Sequence, residues 1–179
     1  MKSLLALARL IDAVNDRGAS IAKWAILFAC AISAGNALVR YGLDISSNAF
    51  LEIQWYLFAF CVMLGAQQVL RVNEHVRVDI LYAWYPTKVK VFVDLFGLTF
   101  FLIPVCVFIA WTSFPVFLGM WNSGEMSSQA NGLIRWPAML TIPLGMSLLT
   151  LQGISEIIKR IAWLTGSYEM DTHYERPLQ

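Results

Sequence analysis

An all-α integral membrane fold, with four transmembrane helices and both termini in the cytoplasm, is what this 179-residue chain predicts. Three observations carry the prediction. Apolar residues make up 58% of the chain and charged residues 14%, against roughly 45–50% and 25% in a soluble domain. The charges are clustered and leave four uncharged runs, each near the roughly 20 residues needed to cross hydrocarbon. The cations gather on alternate sides of those runs, which sets an orientation. The chain reads as a single membrane domain over residues 1–179.

The first element is an amphipathic helix over residues 1–18. Leu4, Leu7, Ile11 and Val14 share one helical face, and Arg9, Asp12 and Asp16 share another, as in a helix lying in the membrane interface. The same charges interrupt the apolar run too early for the core of a signal peptide, so no cleavage is expected. Span one is placed at about residues 20–40. Its uncharged core, Trp24–Val39, is short, but the bounding Lys23 and Arg40 can extend their charges outward while their stems stay apolar. Ala25, Ala29, Ser33 and Ala37 form a stripe of small residues at spacing four, which admits another helix closely, from within the chain or from another protein.

Span two is placed at about 50–71, around the uncharged run Ile53–Leu70. The segment after it, Arg71-Val-Asn-Glu-His75-Val-Arg77-Val-Asp79-Ile-Leu-Tyr, is read as a second interfacial amphipathic helix, because a lone strand at a lipid surface would leave its backbone unpaired. Its balanced charges suit pairing with another protein better than simple lipid anchoring. Span three is placed at about 90–117. The uncharged run Leu95–Gly124 is too long for a straight crossing, so the helix must tilt, bend near Pro104 or Pro115, or stop between Pro115 and Trp121. Span four is placed at about 137–160, followed by a polar cytoplasmic tail over 165–179.

Eleven Lys and Arg residues lie before span one, between spans two and three, or after span four, and only Arg40 and Arg135 lie on the other side. The positive-inside rule therefore puts both termini and the middle loop in the cytoplasm. Trp24, Trp84 and Trp163 are expected in the inner aromatic belt and Tyr41, Trp121 and Trp136 in the outer one.

Several function classes are disfavoured. A net charge of +1 gives no reason to expect nucleic acid. Cys30, Cys61 and Cys106 sit singly in separate apolar runs, which argues against thiol redox chemistry and a Cys-based metal site. His75 is the one histidine near the membrane, so a haem with two axial histidines is not expected. There is no nucleophile triad, P-loop or Gly-rich nucleotide motif, and the chain is read as a non-enzyme without a cofactor of its own. Intramembrane carboxylates are by default functional candidates. Asp94 follows Lys90 by one turn, and Glu156 precedes Lys159 and Arg160 at i+3 and i+4, so local ion pairing is expected for these two. Glu52 has no cation nearby on its own helix, which leaves contact with a partner chain or a lipid headgroup open. An autonomous, homo-oligomeric small transporter using Glu52 or Asp94 is the rival reading.

The runs Glu52-Ile-Gln-Trp55-Tyr-Leu-Phe-Ala-Phe, Gly65-Ala-Gln-Gln, Arg71 and His75-Val-Arg-Val-Asp79-Ile-Leu, with the later Trp136-Pro137 and Ile142-Pro143-Leu-Gly145, resemble the small membrane subunit (DctQ-type) of tripartite ATP-independent periplasmic (TRAP) transporters. The likeness covers roughly residues 20–165. It implies an uptake system of the bacterial inner membrane in which a periplasmic binding protein captures an organic acid and a large multi-span permease carries it by a sodium-coupled elevator motion. The small subunit would enlarge the fixed scaffold of the permease and help dock the binding protein, with sodium and substrate bound elsewhere. By the same resemblance Glu52, Trp55, Arg71, His75 and Asp79 take structural or interfacial roles. Arg77 joins them as a charge of the middle loop, and Glu125 and Arg135, on the outer side, become candidates to touch the binding protein. The expected partners are thus the permease, the binding protein and membrane lipids.

Overall fold

The computed structural model describes residues 1–44, 47–73 and 84–169, and among these every regular element is a helix. Helix α1 is Lys2–Leu43, α2 is Asn48–Arg71, α3 is Thr87–Gly97, α4 is Ile103–Ser123 and α5 is Trp136–Leu164. A π-helical turn, Leu98–Leu102, joins α3 to α4, giving one 37-residue helix, Thr87–Ser123. Among the described residues four helices are thus long and apolar enough to span a membrane, which makes this a multi-pass membrane protein.

The proposed segment 1–18 is helical, but no break separates it from span one. With no proline and its three glycines, Gly18, Gly35 and Gly42, well separated, nothing in this stretch stops helix propagation until Asp44, which turns into the left-handed region at φ 54°. The orientation of its faces is unexpected. Ala8, Ile11, Asn15, Ala19, Ala22, Ala25 and Ala29 form the buried stripe of α1, while Leu4, Leu7, Leu10 and Val14 are exposed. The polar face looks into the bundle because α2 and α5 present polar groups to it at the same level. The small side chains of the stripe let α1 lie close against both helices. Ala25 and Ala29 of the predicted stripe are therefore covered within the chain, and Ser33 and Ala37 are exposed.

Span three is irregular near Pro104, where the sequence allowed a bend. Proline has no N–H to donate, so the regular i→i−4 ladder cannot run through it, and the π turn falls immediately before it. The helix runs two residues past Trp121 and ends at Ser123, where Gly124 adopts φ 61°. The interfacial helix expected over the middle loop lies outside the described residues, as do His75, Arg77 and Asp79.

Two close approaches fix how α5 seats. At Gly145 an added Cβ would come within 2.7 Å of the Met63 Cβ and 2.8 Å of the Met63 carbonyl oxygen, so α2 and α5 touch backbone to backbone there. At Gly153 it would come within 2.9 Å of Leu102, at the π turn. Only glycine fits either place without moving a neighbour.

Candidate functional site

The polar residues of the described chain collect at the two ends of the bundle. At the end that the cation distribution predicts to be cytoplasmic, termed the inner end as against the outer one, α1 offers Asp12, Asn15 and Asp16 at i, i+3 and i+4, and α5 offers Gln152, Ser155, Glu156, Lys159 and Arg160 along one face. The two stripes meet. Asn15 Nδ2 donates to Gln152 Oε1 at 2.6 Å, and Gln152 Nε2 in turn donates to Asp12 at 3.0 Å and Glu156 at 3.2 Å. Ser155 Oγ donates to Asp12 at 2.9 Å, and Lys159 Nζ lies 3.2 Å from the same carboxylate.

Glu156 pairs with Lys159 and, at 2.5 Å, with Arg160, the i+3 and i+4 partners expected on its own helix. Arg160 also reaches Asp94 of α3 at 3.1 Å, so that carboxylate is tied across helices as well as standing one turn beyond Lys90. Arg71, at the end of α2, pairs with Asp16 and approaches the Asp12 carbonyl oxygen at 3.4 Å. Ion pairs thus connect α1 to α2, α1 to α5 and α3 to α5. Burial makes such pairs hard to break singly, because removing one partner leaves an uncompensated charge.

At the outer end, Asn48, Glu52 and Tyr56 recur every four residues and so share one face of α2. All three hold the loop between α4 and α5. Asn48 Nδ2 donates to the Ala130 carbonyl at 3.1 Å, and Tyr56 OH donates to the Ile134 carbonyl at 3.1 Å. Between them Glu52, 3% exposed, accepts the Ser127 hydroxyl on one oxygen and the Leu133 N–H, at 2.6 Å, on the other. The loop is also closed on itself by a Met126–Ile134 bridge and by the Glu125–Arg135 ion pair at 2.6 Å. Both side chains of that pair are about half exposed. Trp55, 61% exposed, projects from α2 beside this loop.

The sequence candidates therefore separate into groups. Glu52 and Arg71 are engaged inside the chain, whereas Trp55, Glu125 and Arg135 remain accessible at the outer end. Asp12, Asn15, Asp16 and Ser155 were not singled out as site residues. The signal for them was the pair of polar stripes of matching length on α1 and α5, which belong together only once the helices are known to be neighbours. No group of three or more His, Cys, Asp or Glu among the described residues could hold a metal ion.

A comparison with protein families matches residues 21–162 to the family of tripartite ATP-independent periplasmic transporters, DctQ component. Comparison with curated proteins and with solved structures gives no match. The matched stretch contains most of α1 and all of α2, α3 and α4, and it ends within the last turn of α5. Four apolar spanning helices and a family match over most of the chain agree, and the chain belongs to the DctQ family, the small component of TRAP transporters.

Proposed function

We propose that this chain is the fixed scaffold subunit of a TRAP transporter in the bacterial inner membrane, binding the large elevator-type permease and helping to dock the periplasmic binding protein. The substrate would be an organic acid, carried with sodium by the large subunit. The observation that carries this reading is the inner charge lattice: Asp12, Asp94, Glu156, Lys159 and Arg160 are used to fasten helices to one another. A carboxylate that must load and release an ion needs a vacant coordination position, and Glu52 and Asp94 both accept hydrogen bonds from within the chain. That supports a rigid accessory unit over an autonomous transporter. In this reading Glu125 and Arg135 present a charged outer surface to the binding protein, and the charges of the middle loop, with Arg77 among them, face the permease from the cytoplasm.

The experiment is affinity purification from native membranes in mild detergent, with co-purifying proteins identified by mass spectrometry. A stoichiometric multi-span permease is expected, in lower yield with Arg77→Glu. Recovery as a homo-oligomer without a permease would overturn the reading.

A further inference from the structure

Beneath the outer loop the seam between α2 and α5 opens into a cleft of about 500 Å3, a size that suits a small-molecule site. Its walls change character with depth. The loop supplies Ser127, Ser128 and Gln129 at the top, close to Arg135, whereas Ala59, Met139 and Ile142 line the part nearer the membrane centre. Seven residues separate Glu52 from Ala59 along α2, a rise of about 10 Å at about 1.5 Å per residue. A bilayer of about 40–45 Å around a hydrocarbon core of about 30 Å has a headgroup layer of roughly 5–8 Å on each side. With its mouth at the bilayer surface, a cleft of this depth would cover the headgroup layer and the first part of the hydrocarbon. Trp121 and Trp136, packed edge to face with centroids 4.4 Å apart, mark the same depth as an aromatic belt does.

A groove for a partner helix would continue along α2 or α5 and keep one polarity. This cleft is two turns deep and graded from polar to apolar, which is the profile of a single phospholipid. The charges narrow the class. Arg135 uses one guanidinium nitrogen on Glu125, and a guanidinium has five N–H donors, so donors are left for a phosphate. Glu52 and Glu125 outnumber Arg135 by one charge at the rim, which disfavours a wholly anionic headgroup and favours one that also carries an ammonium. The exposed ring of Trp55 at the mouth offers that ammonium a cation–π surface.

We infer that the cleft binds one zwitterionic phospholipid, with its phosphate at Arg135 and the Ser128 hydroxyl, its ammonium toward Trp55, and its acyl chains over Ala59 and Ile142. The site goes beyond the scaffold reading and does not depend on it, since it needs only this chain and a bilayer.

The test is native mass spectrometry of the full chain, with whatever co-purifies, after delipidation and titration with phosphatidylethanolamine or phosphatidylglycerol. Retention of one phosphatidylethanolamine, about tenfold tighter than phosphatidylglycerol, is expected, with a loss of about tenfold in Arg135→Gln. Filling the cleft by Ala59→Trp, or by Ala138→Trp from the opposite wall, should abolish retention without lowering the melting temperature. Equal retention in a folded cleft-filled variant, or phosphatidylglycerol bound as tightly as phosphatidylethanolamine, would overturn the inference. If both filled variants unfold, Arg135→Gln decides: unchanged retention in that variant also overturns it.

Discussion

Asp12 and Lys159 are 147 positions apart in sequence and 3.2 Å apart in the fold, and the Asp12 carboxylate also accepts Gln152 and Ser155 from α5. One side chain near the N-terminus thereby anchors three residues of the last helix. Asp12→Leu removes one acceptor from each, leaving Gln152 and Lys159 on Glu156 and Ser155 on the Ala8 carbonyl, and should cost about 1.5–3 kcal/mol, the range for hydrogen bonds to a charged group. Equilibrium unfolding in detergent would measure it. Arg9→Gln, on the exposed side of the same turn, should stay within about 0.5 kcal/mol.

The outer loop depends on Glu52 in a way that amide exchange can read. With Glu52→Ala the Leu133 N–H loses its acceptor, and a lost hydrogen bond of about 1–3 kcal/mol corresponds to roughly 5- to 150-fold faster exchange of that amide. Exchange of the amides in the middle of α5 should not change. Unaltered exchange at Leu133 would mean that the carboxylate does not hold the loop.

Gly145 and Gly119 make a matched pair of tests. Gly145→Ala forces a methyl against the Met63 backbone, and overpacking of this kind costs about 1–3 kcal/mol. Gly119→Ala meets nothing within 4 Å and should be neutral or stabilising by up to about 1 kcal/mol through helix propensity. Thermal melting of the two variants in the same detergent gives the comparison.

Orientation can be read by labelling. With Cys30, Cys61 and Cys106 replaced by alanine, a single cysteine at Gln129 should react with an impermeant maleimide added to intact spheroplasts. One at Thr165 should react only after permeabilisation. The opposite pattern would reverse the topology that the cation distribution predicts.

The spans were legible because hydropathy and length set them, and the Glu156 pairs because helical spacing does. What periodicity could not reveal was which medium the polar face of the first helix meets. Asp12, Asn15 and Asp16 look the same in sequence whether they face water or Gln152 and Lys159. Glu52 was opaque for a different reason. Its partners lie 75 and 81 residues away, and one of them is a backbone N–H, which no side-chain pattern announces. The outer cleft is likewise made by a loop folding over two helices, a juxtaposition with no local signature.

The π turn before Pro104 has a consequence for the register of span three. Its buried positions are Val91, Leu98, Cys106 and Ser113, so successive contacts with the bundle are separated by seven, eight and seven residues. Seven residues return a helix to almost the same bearing, while an eighth would swing it by about 100°. The extra residue falls in the stretch that contains the wide turn, which absorbs it and keeps one continuous seam from the inner surface to the outer. Shortening that turn by one residue, for example by deleting Phe100, would restore an even heptad and leave the same side chains facing inward. The span is thus built to vary in length by one residue at a single place without rotating what it packs against.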